Sequence, residues 1–100
     1  MTSNVTHRFL IAYDVQDDRR RNRLAKLLSA HGDRVQFSVF VVDARPARLT
    51  RLRDAMSDVI VAGRDSVLIC DLGEARVARE TRFAYLGLGR GTTPSDVIIV

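Results

Sequence analysis

Asp14 stands where an apolar stretch meets a basic one, and its surroundings could do chemistry. It falls near the end of the run Arg8-Phe9-Leu10-Ile11-Ala12-Tyr13-Asp14-Val15. Asp17, Asp18, Arg19, Arg20, Arg21 and Arg23 follow closely. A carboxylate at a strand's carboxyl end, beside a basic helix start, suits a phosphate-handling site. Magnesium often takes only one or two carboxylates and keeps several waters. A bound Mg²⁺ or Mn²⁺ could activate water and neutralise a phosphodiester's developing charge. The plainer alternative is that Asp14 only ends a strand and starts a turn. Other chemistries lack their parts. No Cys/His metal spacing or nucleophile elbow is present, and His7 and His31 make no obvious triad. Gly87, Gly89 and Gly91 match neither a dinucleotide fingerprint nor a phosphate-binding loop.

The basic residues sharpen this reading. Of 16, only Lys26 is lysine, and the net charge is +4. The arginine fork matches phosphate better than an ammonium does. A GC-rich genome would also favour arginine, so position matters more than count. Nucleic acid would use Arg19, Arg20, Arg21 and Arg23 for backbone contacts without sequence reading. Their alternative is a solvated helix face, which suits Arg19 and Arg23 better than Arg20 and Arg21.

The elements that must position these residues follow from periodicity. Residues 8–15 read as a strand with Phe9, Ile11, Tyr13 and Val15 on one face and Leu10, Ala12 and Asp14 on the other. Asp17 caps a helix over about 18–31, whose core stripe is Leu24, Leu27, Leu28 and His31, with Gly32 as the residue beyond its end. Arg19, Arg23 and Lys26 then face solvent. Arg20 and Arg21 flank the stripe and lean toward the strand end that carries Asp14.

Residues 34–43 are too long for one strand, so they bend or split near Gln36–Ser38, with Phe37 and Phe40 read as core. Pro46 opens a second helix over about 47–61, stabilised by Leu49, Leu52, Met56, Val59 and Ile60 and ended by Gly63. Residues 66–72 form a further strand, with Cys70 as a small core residue. Residues 73–82 are a linker or short helix, 83–88 a short strand, and 96–100 a terminal apolar strand that needs a sheet edge.

The order is that of an α+β ferredoxin-like βαββαβ sandwich with extra C-terminal strands, one domain over residues 1–100. Its core is about 8–72, and its tail, 73–100, serves dimer or partner contacts. Both helices cover one sheet face, yet two strands are apolar on both. A second copy of the chain, packed sheet to sheet, is the simplest cover. In such a homodimer Asp14 could meet its symmetry mate, and two close carboxylates must share a proton or bind a cation. No signal core and no apolar run of roughly 20 residues is present, so a soluble cytoplasmic protein is expected, with no membrane contact.

Tyr13-Asp14-Val15, Asp17-Asp18, Arg21, Arg23, then Gly32-Asp33-Arg34-Val35-Gln36-Phe37-Ser38-Val39-Phe40 and Asp65-Ser66-Val67 resemble the CRISPR-associated (Cas) protein two family. Its members are small partners of the spacer-acquisition integrase in antiviral defence. The resemblance implies a homodimer whose cleft carries Asp14 from each protomer on a divalent metal, Mg²⁺ or Mn²⁺. It implies that Tyr13, Arg21, Arg23, Arg34, Ser38 and Phe40 surround that site, and it adds Arg34 to the phosphate contacts. It implies a metal-dependent endonuclease acting on single-stranded RNA or double-stranded DNA. The alternative within the family is a non-catalytic adaptor that bridges integrase dimers and holds DNA. A toxin-type ribonuclease on the same fold is a further reading. Leu68 and Cys70 depart from the family, which often has a polar or basic residue and a tyrosine there.

Overall fold

Alternation along the first strand sets the architecture. Phe9, Ile11 and Tyr13 are buried, whereas Leu10 and Ala12 are half-buried and Asp14 is exposed. In the computed structural model, which describes residues 4–78 and 83–87, six elements follow. They are β1 (His7–Asp14), α1 (Asp18–Ser29), β2 (Asp33–Gln36), β3 (Val39–Ala44), α2 (Pro46–Val59) and β4 (Ser66–Glu74). The sheet order is β2-β3-β1-β4, with every neighbouring pair antiparallel. This is the expected ferredoxin-like arrangement, and the 34–43 run splits as anticipated, between Gln36 and Val39.

Both helices pack on the face made by Phe9, Ile11, Tyr13, Phe40 and Val42, where Leu24, Leu28, Leu52 and Met56 close the core. Burial of each such large side chain contributes about 1.5–3 kcal/mol. Asp17 caps α1 by accepting from the Arg20 N–H. Pro46 starts α2, where its missing N–H costs nothing. Cross-strand register puts Cys70 and Val41 beside Leu10, and Leu68 and Val39 beside Ala12. These residues form the sheet's second face, which no element covers among the described residues.

Four expectations need correction. Cys70 is exposed on that second face, because alternation along its strand puts it beside Leu10, away from the helices, where no described element covers it. Phe37 is 58% exposed, since the β2–β3 turn carries it out of the sheet. Helix α1 stops at Ser29, and Gly32 does not adopt the left-handed conformation of a helix-end glycine. Glycine is needed at 32 for proximity: a Cβ there would lie 2.2 Å from the Val41 carbonyl oxygen. Residues 83–87 hold no strand, only a single bridge at Tyr85. Residues 75–77 form a turn, tied down by the Ala75 N–H donating to the Thr6 carbonyl at 2.9 Å. The expected terminal strand over 96–100 lies outside the described residues. No described helix is long and apolar enough to cross a membrane.

Candidate active site

Period-two alternation sends Asp14 to the face of Leu10 and Ala12 and sends Tyr13 to the opposite, helix-covered face. Asp14 is exposed, and Ser66 at the start of β4 pairs beside it. The Gln16 side-chain amide donates to Asp14 Oδ1 at 3.4 Å, a long hydrogen bond. Among the described residues, Oδ2 receives no other protein donor, so one hard oxygen faces outward. No group of three metal-ligating side chains exists among the described residues. Asp14 therefore fits only a cation that keeps most of its waters or gains a second carboxylate from another chain.

Behind Asp14, the arginines are held. Arg21 Nη1 donates to the Val15 carbonyl at 3.0 Å and to the Gln16 carbonyl at 3.3 Å, and Nη2 donates to Asp18. Arg21 thus fastens the start of α1 to the end of β1. Its buried Nε has no partner among the described residues. Arg20 forks onto Asp65, with Nε–Oδ2 at 2.6 Å and Nη2–Oδ1 at 3.1 Å. The Arg20 guanidinium, and next the Val61 N–H, hold the Asp65 carboxyl below the usual carboxylate range, and Asp65 raises the Arg20 pKa in return. Both arginines lean toward the end of β1 as expected, but neither touches Asp14. With its fork engaged by Asp65, Arg20 is less available as a phosphate contact than its position in the sequence implied. Arg19 and Arg23 are exposed on the outer side of α1.

Tyr13 and Phe40, implied as site residues, lie in the core at 6% and 0% exposure, with ring centroids 6.3 Å apart. Arg34 bridges them to the surface. Its guanidinium carbon lies 5.3 Å from the centroids of both Phe40 and Phe37, and Nε and Nη2 donate to the Phe37 carbonyl at 3.0 and 2.7 Å. Arg21 approaches the Phe37 ring at 5.8 Å. The Ser38 carbonyl accepts from the Tyr13 N–H at 3.1 Å, which ties the hairpin to β1. Tyr13, Arg21, Arg34, Ser38 and Phe40 therefore form one connected structure on the helix side, and Asp14 emerges from the other side of the same strand.

Sequence reasoning gave no site role to Gln16, Phe37 or Asp65. Gln16, Asp17, Arg20, Arg64 and Asp65 line an open cleft of about 480 Å³ near the Asp14 end. The signal for Asp65 was available: an acidic residue directly before a strand apolar on both faces, opposite a helix start that carries consecutive arginines.

The topology and the acidic exit of β1 define a class: ferredoxin-like domains whose first strand delivers a carboxylate to the side of the sheet that the helices leave open. The chain belongs to the CRISPR associated protein Cas2 family, whose sequence model matches residues 7–80. It is 40% identical over 93 residues to the CRISPR-associated endoribonuclease Cas2 of Thermus thermophilus, covering 88% of this chain and 94% of that protein. Among solved structures, it resembles the hypothetical protein TT1823 from Thermus thermophilus, with a TM-score of 0.73 and 32% identity over 85% of this chain and 95% of the other. It also resembles Streptococcus pyogenes Cas2 at pH 6.5, with a TM-score of 0.71 and 29% identity over 80% and 99% of the two chains. These likenesses bear out the family resemblance and the fold read from the sequence.

Proposed function

We propose that the protein is a CRISPR-associated, metal-dependent endonuclease that hydrolyses phosphodiester bonds of single-stranded RNA, as a dimer of two copies joined sheet to sheet. The observation that carries this reading is the placement of Asp14 on the same uncovered face as Leu10, Ala12 and Leu68. A two-fold contact over that apolar face brings two Asp14 carboxylates toward one cleft. The choice of RNA follows the endoribonuclease name of the Thermus relative.

Asp14 from each copy would hold Mg²⁺ or Mn²⁺. When bound, the ion supplies charge neutralisation at the phosphodiester and makes water there more acidic. The chain's own residues do the rest. Gln16 orients the Asp14 carboxylate through Oδ1. Arg21 fixes the β1–α1 turn so that Asp14 keeps its direction. Exposed Arg19 and Arg23 offer forks to backbone phosphates.

The test is cleavage of labelled RNA and duplex DNA by wild type and Asp14→Asn, with Mg²⁺, with Mn²⁺ and with chelator. RNA cleavage that needs both metal and Asp14 supports the reading. An inactive wild type, or an equally active variant, ends it. A second reading, a DNA-holding adaptor for the CRISPR integrase, is favoured by the outward position of Arg19 and Arg23 away from Asp14. Spacer acquisition that survives Asp14→Asn selects the adaptor.

A further inference from the structure

At the opposite end of β1 from Asp14, a cavity of about 380 Å³ is lined by Asn4, Thr6, Asp43, Arg45, Arg48 and Arg51, among others. The three arginines share one side of α2 and its lead-in because their spacing is i, i+3, i+6. The first turn of α2 holds no acidic residue. The cavity's one carboxylate, Asp43, is already matched: Arg8 Nε and Nη2 donate to its two oxygens at 2.8 and 3.0 Å. Arg48 Nη2 lies 3.2 Å from His31 Nδ1. A guanidinium can only donate, so Nδ1 accepts, and His31 steadies Arg48 without cancelling its charge. Arg45 and Arg51 are exposed and have no partner among the described residues. The cavity therefore presents three guanidinium charges with no free counter-charge among the described residues, plus the amide of Asn4 and the hydroxyl of Thr6 as neutral donors.

We propose that this cavity is a second phosphate-binding site, which takes the backbone of the same nucleic acid that reaches Asp14. Planar forks and neutral donors around an open recess match phosphate oxygens, and the contact is sequence-independent. Seven residue steps along β1 separate the two ends of the strand, roughly 23 Å. At about 3.4 Å per nucleotide of a stacked strand, that distance is roughly seven nucleotides. The site would thus select for length, because a strand of about this size or longer engages both ends at once. The inference rests on the nucleic-acid reading above.

Binding of an RNA of about 20 nucleotides over a salt series tests it. Each of Arg45→Gln and Arg51→Gln should make the slope of log affinity against log salt shallower by about 0.7. Arg53→Gln, on the same helix but outside the cavity, should leave the slope unchanged. Metal-dependent cleavage at saturating RNA should persist in all three. An unchanged slope in the cavity variants overturns the proposal, as does an equal change in Arg53→Gln, which would mean net charge alone. In the wild type, the Arg45 and Arg51 Nε–H resonances should shift more with the RNA than with inorganic phosphate or poly-glutamate at matched charge. Equal shifts with phosphate mean a small-anion site, equal shifts with poly-glutamate mean an acidic protein partner, and either overturns it. Loss of this site with Asp14-dependent cleavage intact leaves the proposed function standing. Failure of the wild type to bind nucleic acid ends both.

Discussion

Arg20 and Asp65 form a two-point ion pair between the start of α1 and the loop that precedes β4, and the Asp65 side chain is 1% exposed. Asp65 also accepts from the Val61 N–H at 2.9 Å. One carboxylate thus ties α1, the end of α2 and the start of β4 together, next to the strand end that carries Asp14. Removing one partner of such a pair leaves the other without its counter-charge.

Asp65→Asn should therefore lower the melting temperature and change its dependence on pH. The folded-state pKa of Asp65 is depressed below its ordinary 3.8 by Arg20 and by the Val61 N–H. A depressed carboxyl contributes stability that is fully present above the unfolded value and is lost as pH falls through the folded value. Wild type should lose stability as pH drops below about 4, and part of that loss should vanish in Asp65→Asn. Asp71 adds the same sign, held low first by the Gly73 N–H and then by His7, so some acid sensitivity remains in the variant. Thermal melts across pH 2.5–7 (about that range) measure it; parallel curves for the two proteins would refute the assignment.

Gly32→Ala should destabilise by about 1–3 kcal/mol through overpacking. The backbone at Gly32 is not left-handed, so the cost is steric and not conformational. The added methyl meets the Val41 carbonyl at 2.2 Å and a Val42 methyl at 2.7 Å. Denaturant titration checks this. A second substitution, Val42→Ala, should relieve little, because the nearer obstacle is backbone.

The course of the main chain was readable because its strands and helices carry unambiguous periods. Phe9-Ile11-Tyr13 and Leu24-Leu27-Leu28 each identify a buried face without any tertiary information. What was not readable depends on which face of a turn a side chain leaves by. Phe37 and Phe40 look alike in sequence, yet Phe37 sits in the β2–β3 turn, which sends it out, while Phe40 sits in β3 and points into the core. Arg20 and Arg21 are adjacent and identical, but one meets a carboxylate that lies 45 positions away and the other meets local carbonyls. Only packing separates them. Asp14 was legible as a candidate from its position, and alternation along the strand already separated it from Tyr13; which of the two faces the helices cover follows only from the completed sheet.

That divergence of the two phenylalanines gives a paired prediction. Phe40→Ala removes a fully buried ring that stacks on Tyr13 and supports Arg34, and should cost about 3–5 kcal/mol. Phe37→Ala removes an exposed ring whose contacts are two guanidiniums, and should cost about 1 kcal/mol or less. Chemical denaturation of the two variants distinguishes them. Equal losses would mean that Phe37 is covered in solution.

Asp14→Asn should keep the fold and lose cleavage. The side chain is exposed, and its one observed protein contact is the long bond from Gln16, so the melting temperature should stay within about a degree or two of wild type. Loss of an outer-shell partner of a metal costs roughly 10–100-fold in activity, so, if Asp14 holds the ion as proposed, its loss should cost about 100-fold or more. On the same proposal, Gln16→Ala, whose side-chain amide donates to Asp14, should fall in the smaller range and raise the metal concentration needed for half-maximal rate. An effect of Gln16→Ala on maximal rate alone, at saturating metal, would separate it from metal binding.

Leu68→Glu tests the sheet-to-sheet dimer and its link to activity. Leu68 is 63% exposed beside Ala12 on the uncovered face. Burying one leucine contributes about 1.5–3 kcal/mol, and two-fold symmetry counts it twice. The substitution should then weaken self-association by about 100-fold or more, with the monomer fold intact because no core contact is lost. If two Asp14 carboxylates must meet, cleavage should fall with the dimer and recover at protein concentrations that restore it. Sedimentation across a concentration series, run beside the cleavage assay, reads both. Activity that stays constant while the dimer dissociates would place catalysis in a single chain and would separate Asp14 chemistry from the open face.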